Sequence, residues 1–142
     1  MRRFALSEHP IDPDVMRPGL RAAMPAAYAE LQLWVPADWE GRAVVGMDVE
    51  CARELAEREA ERLIAEALAR ASGVEAAVVQ RLGSLAVGEC LAWIGISGPR
   101  PEPVQAALGE IVRALGERLP LWKRLGFADG ESLWLDGGGA RR

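Results

Sequence analysis

The sequence predicts a single α+β domain, and three observations carry that prediction. Two long stretches, about 51–71 and 104–119, place apolar residues at i, i+3 and i+4, the spacing of one helix face. Shorter runs at 28–35, 42–49, 74–82 and 89–97 are rich in β-branched and apolar residues and are bounded by glycine or proline. The elements follow the order β, α, ββ, α, ββ, α, β, which reads as mixed or antiparallel sheets with helices packed on them. At 142 residues the chain has the size of one ordinary domain, able to bury a core without disulfide or metal staples.

The elements follow in chain order. Arg2 to Leu6 reads as a short first strand. Ile11-Asp12-Pro13-Asp14 is a turn that opens a short helix through Val15, Leu20 and Met24, ended by Pro25. Tyr28 to Val35 alternates as a strand does; Pro36 to Gly41 punctuates it, and Arg42 to Val49 follows as a strand expected to pair antiparallel with the one before. The helix from about Cys51 to Ala71 buries Leu55, Ala56, Ala60, Leu63, Ile64, Ala67 and Leu68. Its Glu57, Arg58, Glu61, Arg62 and Glu66 form a solvated ion-pair lattice, and Ser72-Gly73 closes it. Val74–Leu82 and Glu89–Ser97 are two more strands, with tight turning at Gly83 and Gly88. The alternating prolines of Gly98 to Pro103 predict a stiff loop that delivers Arg100 ahead of the helix Val104–Leu119. Gly109 and Gly116, seven residues apart on nearly one face of that helix, mark either a close backbone approach or a lost side chain. Pro120 ends the helix, and Leu121-Trp122-Lys123-Arg124, a Gly130 turn and Leu133-Trp134-Leu135 complete a domain expected over 1–135. Residues 136–142, with three glycines and two terminal arginines, are expected to be a mobile tail.

Composition narrows the function classes. Half the residues are hydrophobic, 27% are charged, and the net charge is −4, a globular balance that gives no reason to expect nucleic acid as a partner. No apolar run approaches the roughly 20 residues of a membrane span, and Met1–Ser7 lacks the apolar core of a signal peptide, so a cytoplasmic protein is expected. Cys51 and Cys90 show neither a CxxC spacing nor neighbouring histidines, and the lone His9 lies between Glu8 and Pro10 in a turn. No metal, cofactor or nucleotide site is expected, and no histidine-based triad.

The basic residues are skewed: sixteen arginines against one lysine, Lys123. Arg100, Arg118, Lys123 and Arg124, if the fold brings them together, make a cationic pocket for phosphate or carboxylate, with bidentate arginines and a movable ammonium. Lysine alone among them can lose its proton on burial and act as base or nucleophile. The alternative for Trp122-Lys123-Arg124 is a snorkelling surface edge around an anchored tryptophan.

Several segments, in order, resemble the large, catalytic subunit of molybdopterin synthase. They are Val79-Gln80-Arg81-Leu82-Gly83 with Gly88-Glu89 (the family's "HRIG…PGD/E"), Trp93-Ile94-Gly95-Ile96-Ser97, and Arg118-Leu119-Pro120-Leu121-Trp122-Lys123-Arg124, which is similar to "R-A-P-F/I-W-K-R/K". Ile11-Asp12-Pro13 and Val49-Glu50 extend a weaker similarity toward the start. The resemblance implies an α/β hammerhead-type fold, a homodimer of large subunits, and a small ubiquitin-like sulfur-carrier partner whose C-terminal Gly-Gly carries a thiocarboxylate. It also implies a cyclic pyranopterin monophosphate as substrate, which receives two sulfurs to form the dithiolene of molybdopterin. By the same resemblance Lys123 matches one of two essential lysines, Arg118 and Arg124 match substrate-side cations, and Arg100 falls where the family carries a His-Arg phosphate-binding pair.

The departures are concentrated in the active set. The family's second lysine is replaced by Gly116, the His-Arg pair reads Arg100-Pro101, and the arginine-bearing loop is replaced by Val35-Pro36-Ala37-Asp38-Trp39. Two functions therefore stand: the sulfur-transferring subunit itself, or a degenerate homologue that keeps the dimer and the small-subunit groove as a binding module. The tryptophans 34, 39, 93, 122 and 134 are candidate interface anchors or core residues.

Overall fold

The computed structural model describes residues 2–136 and 139–141. The α+β class holds: three helices pack with two sheets. The first sheet has the order β1-β5-β7-β2, formed by Phe4–Ser7, Glu75–Arg81, Cys90–Gly98 and Ala27–Trp34. β1 runs parallel to β5; the other pairs are antiparallel. The second sheet centres on β4 (Arg42–Glu50), which pairs along one edge with β8 (Trp122–Phe127) and along the other with β3 (Asp38–Trp39) and β6 (Gly83–Ala86). β9 (Ser132–Asp136) and β10 (Gly139–Arg141) extend it beyond β8.

Helices α2 (Arg53–Ala69) and α3 (Pro101–Arg118) cover one face of the first sheet. Ala56, Ala60, Ile64, Val104, Ala107 and Ile111 meet Val78, Ile94 and Ile96 there, all buried, as the helical spacing predicts. The short α1 (Pro13–Arg21) covers part of the opposite face, where Leu20 packs on Trp93 and Val79. A second core lies between the two sheets, built from Val35, Val44, Met47, Val49, Leu82, Leu85, Leu91, Leu125 and Phe127.

Four local expectations change. The strand at 28–35 does not pair with the one at 42–49: β2 lies against β7 over its whole length, and Val35 leaves the first sheet to be buried in the second core. Pro36 has no N–H with which to continue the ladder. The hairpin signal belongs to β3 and β4, joined by Glu40 and Gly41, both at positive φ (51° and 85°), the two-residue geometry that suits strand twist. Gly98–Pro103 is not all loop, because Pro101 and Pro103 stand inside the first turn of α3, where a missing N–H breaks no helical bond. Residues 83–86 form β6 rather than only a turn; Gly83 at φ 102° and Gly88 at φ 90° let the chain leave the first sheet and return. Glu61 is not part of a solvated lattice: its Oε2 accepts from the backbone N–H of Arg3 and Phe4 (2.8 and 2.9 Å) and pins β1 to α2. Arg62 does pair with Glu66, as expected, and also with Glu59, which lay outside the expected lattice.

The expected tail, 136–142, lies partly outside the described residues; within it, the backbone of Gly139–Arg141 pairs with Trp134–Asp136. None of the helices among the described residues is long and apolar enough to cross a membrane. Of the tryptophans, Trp93 is fully buried, while Trp34 and Trp122 are 61% and 56% exposed.

Candidate functional site

Lys123 stands on β8, directly across from Val49 of β4 and Leu135 of β9. Strand alternation decides its direction: Leu125 and Phe127, two and four residues on, are buried in the second core, so Lys123 shares their inward face. Leu121, two residues before it, belongs to the first core. The lysine therefore sits at the seam between the two cores, where β8 passes the end of α3.

At this seam lies a narrow pocket of about 50 Å³, walled by α3 through Leu115, Gly116 and Leu119, and by the first sheet through Val78, Gln80 and Ile94. Lys123 is the only ionisable side chain in its lining. Among the described residues it makes no hydrogen bond or ion pair. Burial, with no counter-charge to offset it, pushes its amine below the usual lysine range. Burial of this kind raises the neutral fraction of a lysine, the form that can accept a proton or act as a nucleophile.

The position expected to hold a second lysine, Gly116, lines the same pocket. At Gly109 an added Cβ would meet nothing within 4 Å, so close backbone approach does not explain that glycine.

The three arginines take different places. Arg118, in the last turn of α3, is half exposed and held only loosely, 3.8 Å from Glu66 of α2. Arg124 is adjacent to Lys123 in sequence but points to the other face of the sheet, where it bonds Asp48 at 2.7 Å and lies 5.5 Å from the Trp134 ring. Arg100 is the N-cap residue of α3. The first α3 residue in the pocket lining is Val112, 12 residues further on, about 18 Å along the helix at 1.5 Å per residue. One chain thus brings none of the three into the lining beside Lys123.

Gln80 is the residue whose part sequence reasoning missed. It is 6% exposed and is the other polar side chain in the pocket wall. The signal was present: one amide on the inward row of an otherwise apolar strand, Ala76, Val78, Gln80.

Two larger hollows lie elsewhere. One of about 430 Å³ beside α1 contains Arg17, already bonded to Asp14 and Glu30. Another of about 460 Å³ contains Arg81, paired with Glu89, and Arg53, paired with Glu8. Cys51 lines the latter, and burial raises its thiol pKa, which makes it a poorer nucleophile. Among the described residues no group of three or more His, Cys, Asp or Glu is placed to hold a metal ion.

Comparison with known proteins gives a consistent result. The family model described as MoaE protein matches residues 30–118, a segment that contains Gln80, Arg100, Gly116 and Arg118 and ends before Lys123. The protein named molybdopterin synthase catalytic subunit from Pyrococcus abyssi is 35% identical over 97 residues, covering 68% of this chain and 65% of that protein, just under two thirds of its length. The protein of the same name from Thermoplasma volcanium is 30% identical over 97 residues, 68% of this chain and 71% of its own. Among solved structures, molybdopterin synthase from Staphylococcus aureus superposes with a TM-score of 0.86 at 22% identity, over 94% of this chain and 97% of that one. A complex of subunits 1 and 2 of molybdopterin-converting factor from Helicobacter pylori superposes with a TM-score of 0.75 at 13% identity, over 89% and 86%. The two superpositions bear on the fold, the two sequence relatives on kinship, and with the family model spanning more than half of its length the chain belongs to the MoaE family.

Proposed function

We propose that this chain acts in molybdenum cofactor biosynthesis as the large subunit of molybdopterin synthase, passing sulfur from a thiocarboxylated small subunit to cyclic pyranopterin monophosphate. The observation that carries the reading is the seam pocket: a half-buried, unpaired lysine with a lowered pKa, at the position the family signature requires. The names of the 35% and 30% identical relatives support the same pathway. They do not favour the degenerate binding module. The Helicobacter pylori complex of two subunits supports a small-subunit partner here.

Lys123 moves the protons that sulfur transfer requires, and burial, by lowering its amine pKa, makes the proton easier to give up. Arg118 is free to turn to the substrate phosphate, because its ion pair with Glu66 is loose. Arg124, on the other face of the sheet and bonded to Asp48, contributes only its longer-range charge. Arg100 reaches a Lys123 pocket only from a second copy of the chain, since in its own it stands at the opposite end of α3 from Lys123; this makes a homodimer part of the proposal.

The test is reconstitution with thiocarboxylated small subunit and the pyranopterin substrate, following dithiolene formation. Lys123→Ala is expected to lose at least about 100-fold in turnover; full turnover would rule the reading out. Mixing inactive Lys123→Ala with an impaired Arg100→Ala variant tests the shared site. In a two-fold dimer the mixed species has one intact site, so about a quarter of wild-type activity should return on equal mixing.

A further inference from the structure

Gln80 projects from β5 on the face that packs against α3, opposite Ala92 of β7. Its Nε2 donates to the carbonyl oxygens of Arg81 (3.1 Å) and Leu91 (3.2 Å). Both are acceptors only, so the amide cannot be turned the other way: the nitrogen faces the two carbonyls and Oε1 faces away from them. Oε1 receives no hydrogen bond among the described residues and is not one of the enclosed unpartnered atoms, so it keeps accessible surface on a residue that lines the pocket. A leucine of similar size would fill this position without the cost of burying an amide; what the amide adds is one fixed acceptor. The other polar group in the lining is the Lys123 amine, and the chamber of about 50 Å³ between these walls has room for at least one water, which needs about 10–15 Å³ of such space.

We propose that Gln80 is the positioning residue for Lys123, its Oε1 holding the lysine amine through a single water in the seam pocket. The fixed acceptor keeps the amine turned into the pocket instead of toward bulk solvent. It also favours the protonated form, partly offsetting the burial that disfavours it. Among the described residues no other charged group faces this amine from the packed elements. Val49 and Leu135 flank it on β4 and β9, and α3 offers Val112, Leu115, Gly116 and Leu119. Asp48 and Arg124 are paired on the opposite face of the sheet, and Glu50 flanks Val49 on that same side of the alternation. The proposal rests on Lys123 being the working amine of the proposed function, but its test does not depend on turnover.

Because the chain has one lysine, protein labelled with ¹³C at lysine Cε gives one side-chain resonance to titrate. Removing the acceptor in Gln80→Leu should lower the Lys123 pKa by about one unit, a tenfold shift in the neutral fraction below the pKa. A structural role alone would reduce stability and leave that pKa unchanged, and an unchanged pKa in a folded Gln80→Leu overturns the proposal. Gln80→Met, which keeps length and flexibility, serves in the same titration if the leucine variant fails to fold. In a high-resolution crystal structure of the wild-type chain, one water shared by Oε1 and Nζ is expected; a pocket in which no water joins them overturns the proposal independently of any variant.

Discussion

Lys123 and Arg124 are neighbours on one strand and both are cations, yet they occupy opposite physical states. Lys123 faces inward between two cores, without a partner among the described residues, and burial drives its pKa down. Arg124 faces outward, bonded to Asp48 and stacked near Trp134, and the same bond, with help from Ser84, holds the Asp48 carboxyl below its usual range. A strand reverses its surroundings at each residue. The contrast teaches that what sets Lys123 apart is burial without a counter-charge among the described residues, and under the proposed function its reactivity follows from that and not from clustering of basic residues along the chain.

The strongest way to break this comparison is to keep the charge and remove the proton chemistry. Arginine does not deprotonate in proteins, so Lys123→Arg should be nearly as inactive as Lys123→Ala, a loss of about 100-fold or more in dithiolene formation. If Lys123→Arg turns over within a few-fold of wild type, a fixed charge suffices and the inward face has no special role.

Gly116→Lys sharpens the comparison from within the pocket. A second ammonium in the same lining would push the Lys123 pKa lower still, as like charges disfavour one another. One unit corresponds to about tenfold more neutral amine below the pKa, so turnover at neutral pH should rise by about that factor. Steady-state rates with saturating small subunit, alongside the ¹³C titration, read both quantities; a lower pKa without faster turnover would separate proton affinity from rate.

The inward face should also appear in the pH dependence of stability. Lys123 has a folded-state pKa below its unfolded value, so between the two the unfolded chain binds more protons. Stability therefore rises with pH through that window, and below the folded pKa the full burial cost of the ammonium is present. Lys123→Met should be more stable than wild type at neutral pH, with the gap narrowing as pH rises toward the ordinary lysine pKa of about 10.4. Urea unfolding at several pH values measures this. A gap that stays constant or widens would mean the lysine is not buried as a charge.

How much of this was legible beforehand depends on the kind of information each residue carries. The inward rows of α2 and α3 were readable because helical periodicity fixes a face from local spacing alone. The partner of β2 was not, because the tight turn at Glu40-Gly41 and the departure at Val35 are both consistent with a simple hairpin until the second sheet exists. Likewise, Lys123 stood out as a compositional oddity, but its pocket requires Leu121 to lie in one core and Leu125 in the other. Gln80 lay within a quoted motif, and only the two carbonyls facing its nitrogen give it a direction.

The smallest expected effect lies on the outward face. The Arg124–Asp48 pair is partly exposed, with 44% and 36% of the two side chains open to solvent, so its coupling should be that of a surface ion pair, about 0.2–1 kcal/mol, reduced by salt. The contact with Trp134 adds a similar increment of about 0.5–1 kcal/mol. Arg124→Ala should therefore cost about 1 kcal/mol in stability and change turnover less than about threefold, because losing an outward-facing cation weakens phosphate attraction without touching the proton-moving amine. A double-mutant cycle of Arg124→Ala with Asp48→Ala, at low and high salt, isolates the pair from the packing of the arginine stem. If Arg124→Ala loses as much turnover as Lys123→Ala while the chain remains folded, the substrate reaches around the strand. The site then includes both faces of β8, and alternation ceases to be the boundary between structural and reactive cations.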